Sequence, residues 1–415
     1  MKLPYYKKSL LIPNWKLQPE PAHCVPVDVE EFYMRTDAPP PPLRDQPPPP
    51  PPPPPRPKPK EEAKSSIEVL LDMTVKAQLA MTSFQQWVNS PTPPKPVPAP
   101  TPPQKNKPHV EPFDLQDIVG AMRRVGWPMS EKVMRKWFAG SLNYVNTDNG
   151  AKNGINQDGK PFPPSMIDTT MFKLDWILQF PRAQEALSEL RDIKIYNQAA
   201  EDEIKKMFRK QGNPTPYFRD ALKLSGGDIH RLHHNFQFQL VSVDTSLTDK
   251  FFMGIRGAVR PNGVFMDDLY GSLGAFAFYA AVGEHRFYPL RKNRGRVEVE
   301  SVILYMRDVF TFHDRAESYL GGLLKSGSQY LGHWNRTGFV LVPGAAAVSE
   351  VNKGDWPMWP VAREGAIRKD EIYYPVRNKD FRAWQLKHKQ GGDLILYSDL
   401  KWLKLTKPIV CEVDL

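Results

Sequence analysis

Three groups of residues have types and spacings that chemistry can use. The first is His230, His233 and His234. On a helix this spacing places His230 and either partner on one face, as metal ligands require. The only acidic neighbour is Asp228 and no thiol is near. These histidines therefore read as surface or packing residues, and we assign no metal and no cofactor. The second group is the run from Tyr305 to Asp314. In a strand, Asp308, Phe310, Phe312 and Asp314 share one face, and Arg307, Val309, Thr311 and His313 share the other. Asp308 with His313 or His333 would be a carboxylate orienting an imidazole for general-base work. The plainer reading is a charged strand end before a loop. The third group lies between Asn378 and Asp399 and holds Arg382, Trp384, His388 and Gly391-Gly392-Asp393. A histidine, an arginine and an aspartate this close can form an acid–base site. The favoured reading is a salt-bridged cap, with the glycines at positive φ bringing Asp393 against a helix end. The candidate catalytic residues are thus Asp308, His313, His333, Arg382, His388 and Asp393. Trp334, Trp356, Trp359, Tyr373 and Tyr374 would line a groove for sugars or lipid headgroups, or cover a small core.

The chain carries no phosphate loop ending in Gly-Lys-Ser/Thr, no Gly-x-Ser-x-Gly elbow and no paired-histidine zinc helix. That removes the commonest nucleotide-binding and hydrolase classes in their standard form. The two cysteines, Cys24 and Cys411, lie at opposite ends and make neither a disulfide framework nor a zinc site.

The elements that must position these residues fall in two halves. Leu115, Ile118, Val119 and Met122 give Asp114 to Val125 a helical stripe, broken by Gly126-Trp127-Pro128. Ser130 caps a second helix with Val133, Met134, Trp137 and Phe138. Arg123, Arg124, Lys132, Arg135 and Lys136 raise a helix-turn-helix reading, but the bulky residues point to packing and the charges to a solvated face. Residues 143–165 read as a loop. Thr170 to Phe180 alternates as a strand would, although a short helix also fits. Arg182 to Arg191 and Ala199 to Lys210 read as helices. From His234 onward strands dominate: Phe236 to Val243, Leu273 to Val282, Val297 to Phe312, Gly338 to Val342, Leu394 to Tyr397 and Ile409 to Val413. Asp380 to Lys389 reads as a late helix. Helices first and strands later predict an α+β body, a mainly antiparallel sheet with helices packed to one side. The helical part is 113–230 and the strand-rich part 231–415.

Of the 44 prolines in the 415 residues, 30 lie in residues 1–112, which we read as an extended arm. Residues 39–60, with nine consecutive prolines, and 91–108 predict polyproline spacers that make few contacts with the body. Between them, Ser65 to Glu68 is a capping box opening a helix over 65–89 with Ile67, Leu70, Leu71, Met81, Phe84 and Val88 on one stripe. That helix needs something to dock on. The net charge of +10 is spread thinly, so nucleic acid is permitted but not indicated. No window has the ~18 apolar residues of a membrane span, and the N-terminus lacks the apolar stretch of a signal peptide. The expected site of synthesis is the cytoplasm, with any export proceeding without a signal peptide.

Gly126-Trp127-Pro128, Asp267-Asp268-Leu269-Tyr270-Gly271, Leu331-Gly332-His333-Trp334-Asn335 and the stretch from Asn378 to Asp399 carry a resemblance. Over residues 113–415 the chain resembles an uncharacterised proteobacterial family associated with type VI secretion spike neighbourhoods. The resemblance implies a cargo or cargo-associated protein and supplies no reaction. On that basis residues 65–89 would meet a spike or adaptor protein, and an immunity protein would be a second partner. An antibacterial effector and a non-catalytic adaptor are the two functional expectations.

Overall fold

A computed structural model describes residues 2–8, 15–18, 24–26, 33–44, 112–209, 215–243, 267–291, 293–314, 328–340, 360–363 and 372–414. The helix expected over 65–89, the prolines of 45–60 and 91–108, Trp356 and Trp359 lie outside the described residues.

The body is α+β, with a mainly antiparallel arrangement of strands. Its spine is β11 (Arg294–Phe310). One edge of β11 pairs with β10 (Glu284–Leu290) and then β9 (Phe276–Val282). The other pairs with β17 (Lys401–Asp414) and then β16 (Leu394–Ser398). β8 (Gln237–Val243) adds to β9, β7 (Tyr217–Asp220) to β10, and β6 (Ile167–Phe172) runs parallel to β16, completing eight strands. A seven-stranded sheet holds β12 (Tyr330–Trp334), β13 (Phe339–Val340), β14 (Val361–Arg363) and β15 (Ile372–Arg377) with the N-terminal strands β1 (Lys2–Lys8), β2 (Trp15–Gln18) and β3 (Cys24–Pro26).

Ten helices are assigned among the described residues. α1 (Asp117–Arg124) buries Ile118, Val119, Ala121 and Met122, with an acid in its first turn and two arginines in its last, matching the helix dipole. α2 (Pro128–Phe138) opens at Pro128 rather than at Ser130, since a proline at the first helical position loses no hydrogen bond. Ser130 is instead buried on the Asp268 carboxylate. The basic residues here have partners. Arg123 and Arg135 share Glu131, and Lys136 is buried against Asp168 at 2.5 Å.

Several expected elements shift. Residues 143–165 contain α3 (Asp148–Asn153), capped by Thr147. The alternation from Thr170 to Phe180 divides into β6 and then α4 (Leu174–Ile177), because the Asp399 carboxylate takes the Leu174 N–H and starts a turn. α5 (Pro181–Asp192) and α6 (Gln198–Arg209) fall where expected. α7 (Ala221–Leu224) and α8 (Ile229–Phe236) follow. α9 (Asp268–Leu273) takes the start of the segment read as strand from Leu273, and α10 is Asn378–His388.

Part of the arm also belongs to the body. Met1–Asp45 falls in one compact unit with Pro108–Leu415. β4 (Met34–Arg35) pairs with β5 (Phe113–Asp114). Ala38 N–H donates to Asp114, Gln116 donates to the carbonyls of Ala38 and Pro39, and Gln390 donates to that of Pro41. Residues 39–44, expected to make few contacts with the body, bond to it through the carbonyls of Pro39 and Pro41 and the N–H of Arg44. Prolines lack a donor, but their carbonyls still accept.

Candidate functional site

The six sequence candidates do not converge. Asp308 stands opposite Leu396 on β11, on the face away from Tyr305 and Arg307. His313 Nε2 lies 3.2 Å from Asp148. His333 is buried in the other sheet, its Nδ1 2.6 Å from the Tyr330 hydroxyl. The strands expected to bring Asp308 and His333 together are not neighbours: β13 pairs with β12, and β11 with β9, β10, β16 and β17. His388 donates from Nε2 to the Thr36 carbonyl at 2.7 Å, which pins the residue 33–44 segment.

Arg382 and Asp393 do meet, at 3.7 Å. Asp393 is buried and accepts from Trp137 Nε1 at 3.2 Å, Thr311 Oγ1 at 2.6 Å and Val145 N–H at 3.1 Å. Burial pushes its carboxyl above the ordinary range, with Arg382 opposing. With its oxygens occupied from four directions, Asp393 ties α2, the 143–145 segment and the residue that follows β11 together. Gly391, at φ +98°, makes the turn that delivers it. Trp334, Tyr373 and Tyr374 are buried, so these three cover core.

The histidines of α8 are arranged differently. Asp228 caps this helix by accepting from the His230 and Arg231 N–H groups. Ile229, Leu232 and Phe236 are its buried residues and fix its rotation against the sheet. At 100° per residue, His233, His230 and His234 lie about 67°, 127° and 167° from the centre of that buried face. His230 and His233 are partly buried, and His234 is open to solvent.

Beneath them, three adjacent strands present one polar face. Tyr279 of β9 is opposite Tyr305 of β11, and Tyr397 of β16 is opposite Arg307 of β11. Tyr305 and Arg307 share a face because they are two apart. His233 Nδ1 is 3.0 Å from the Tyr305 hydroxyl, and His230 Nδ1 is 2.9 Å from that of Tyr397. Both phenols are buried, so each O–H needs an acceptor, and the imidazole Nδ1 supplies it. Each ring therefore carries its proton on Nε2. Burial, reinforced by Arg307 and the neighbouring imidazoles, lowers His230 to about 4 and His233 to about 2, and burial and Arg307 also lower His234. Burial raises Tyr397 to about 12 against the opposing charge of Arg307, and burial also raises Tyr305 well above the ordinary phenol value. At neutral pH the imidazoles and phenols are all uncharged.

Arg307 is the charge in this group. It is 5% exposed and donates to the Lys152 carbonyl at the end of α3 at 3.1 Å. Its Nε is buried without a hydrogen-bond partner, and among the described residues no carboxylate pairs with it. The nearest acid acting on the group is Asp228, held at the helix cap. Among the described residues no set of three His, Cys, Asp or Glu side chains is placed to hold a metal. Imidazole, phenol and guanidinium meet a second time at His333, Tyr330 and Arg377, but all three are buried and lack an exposed edge.

A model described as a family of unknown function, DUF6402, matches residues 113–413. The chain belongs to the DUF6402 family. The DUF6402 match covers the body and begins where β5 begins. No curated protein and no solved structure matches the chain. No helix among the described residues is long and apolar enough to cross a membrane.

Sequence reasoning passed over Tyr279, Tyr305, Arg307 and Tyr397. The one available signal was the shared parity of Tyr305 and Arg307 in a strand. Their convergence with Tyr279 and Tyr397 depends on inter-strand register, which no local pattern encodes.

Proposed function

We propose that the chain is a cargo of a contractile, type VI secretion system, and that its body acts at the imidazole–phenol–guanidinium group under α8. The observation that carries this reading is Arg307, a buried cation with an unpartnered Nε beside neutral, half-exposed imidazoles. A buried charge without an ion-pair partner costs stability that an apolar residue of similar size would not, and costs of this kind concentrate at working sites. Delivery by a spike rests on the motif resemblance over the body. Residues 65–89 would meet the spike or an adaptor, and an immunity protein would cover the α8 group. The test is growth of a susceptible bacterium expressing the full chain in the cytoplasm or the periplasm, beside the Arg307→Met variant. Growth arrest in one compartment, relieved by the variant at equal protein level, supports the reading. No arrest in either compartment would instead favour a non-catalytic adaptor.

A further inference from the structure

We infer that the group under α8 is a metal-independent binding site for a phosphoryl group. This deepens the function proposed above and rests on it for the location of the site. The donors come from two elements. His230 and His233 each use Nδ1 to accept from a buried phenol, which leaves Nε2–H as the only polar function either ring can offer. Arg307 supplies a fixed positive charge from β11, with Nε unpartnered and the rest of the guanidinium steadied by the Lys152 carbonyl. His234 lies next to both other rings, with centroids 4.5 Å from His230 and 5.5 Å from His233. The two Nδ1 atoms are already engaged as acceptors, which leaves the Nε2–H groups of His230 and His233 and the Nε–H of Arg307 as the donors of the site. Such a surface suits an anion and repels a cation.

A tetrahedral oxyanion suits it better than a planar one. Three imidazoles on one helix face and a guanidinium from the strand below approach from separate directions. The acceptor sites of a carboxylate all lie in one plane, so donors from separate directions do not all align with them, whereas the three oxygens of a phosphoryl group are spread in three dimensions. The charge is also placed for it. Arg307 lies deep and Asp228, the nearest acid, is turned to the helix cap, so a bound dianion would meet an attractive field on its inner side.

The probe is inorganic phosphate, titrated calorimetrically into the full chain in metal-free buffer with chelator. Acetate at equal ionic strength is the planar control, and adenosine monophosphate and glycerol 3-phosphate identify the source of the group. Phosphate should bind with one site per chain, and acetate at least tenfold more weakly. Arg307→Met should weaken phosphate binding by about tenfold or more. Arg307→Lys, which keeps the charge but loses the fork, should fall between. His234→Ala, at an exposed position that leaves the buried phenols untouched, should weaken binding by a smaller factor, which guards against misfolding as the cause. Tighter binding of either organic phosphate than of the inorganic ion supports the assignment and names the source. Three results overturn it: no phosphate binding by the wild type, equal binding by Arg307→Met, or acetate binding as well as phosphate. Arg307-dependent growth arrest without phosphate binding would leave the function standing and the ligand class wrong.

Discussion

His230 and His233 hold folded-state proton affinities below the ordinary imidazole value of 6.5, because burial and Arg307 penalise the charged ring. A depressed value means that the unfolded chain binds protons more readily than the folded one. The histidines therefore contribute stability that is complete above pH 6.5 and declines as the pH falls towards 4. Urea unfolding of the full chain at pH 7.5, 6 and 5 should show this loss. The double variant His230→Asn, His233→Asn should lose less stability across the same interval. Equal slopes in the two proteins would mean that the rings titrate as exposed histidines do. The gradation among the three histidines was legible in the sequence once Ile229, Leu232 and Phe236 defined the buried face of α8. What the sequence did not reveal was that phenols lay beneath. Asp308 seemed the better chemical partner for a histidine, yet strand alternation turns it to the opposite face.

Elements are held by a few buried polar ties, and those ties carry large penalties when one partner is removed. Lys136 joins α2 to Asp168 on β6, both ends buried. Burial would push Asp168 up, but the Lys136 contact and the Thr170 and Met171 N–H groups outweigh it and hold the carboxyl at about 2. Lys136→Met leaves that carboxylate buried without its cation, and should lower stability by about 3–5 kcal/mol in denaturant unfolding. A loss under about 1 kcal/mol would show the pair to be solvent-screened. Gly391 is a tie of another kind. Its φ is +98°, and an added Cβ would stand 2.9 Å from Gln385 Cγ. Gly391→Ala should cost about 1–3 kcal/mol, and a neutral substitution would show that the turn can relax. The glycine pair was readable as a turn, and α1, α5, α6 and α10 were readable from their apolar spacing. The segment from Thr170 to Phe180 reads as either strand or short helix, because alternation and a single helical turn look alike over so few residues. Its outcome depends on Asp399, more than 200 residues away in sequence, accepting from Leu174.

Across the whole molecule, the N-terminal segment is less separate than its proline content suggests. Residues 33–44 run over the body near the ends of α2 and α10, tied by Asp114, Gln116, His388 and Gln390. The Arg44 N–H donates to the Ala139 carbonyl at 3.0 Å. Residues 33–44 are therefore held on the body. Hydrogen exchange should find the Ala38 amide protected, and Asp114→Ala should speed its exchange at least tenfold, since that amide would lose its acceptor. Fast exchange in the wild type would show that the segment is not held there. Proline content marks residues 1–112 as a different kind of chain, but it carries no information about which carbonyls the body claims.

The central claim is that the α8 group is a neutral donor array built over a buried cation. Its most direct test is the nitrogen NMR spectrum of the histidine rings in the full chain. The account predicts that His230 and His233 carry the proton on Nε2 with Nδ1 unprotonated, and that neither ring titrates between pH 8 and pH 5. It also predicts that Arg307→Met moves both ring signals while the spectrum of the remaining body persists. Protons on Nδ1, or titration of both rings near pH 6.5, would contradict it.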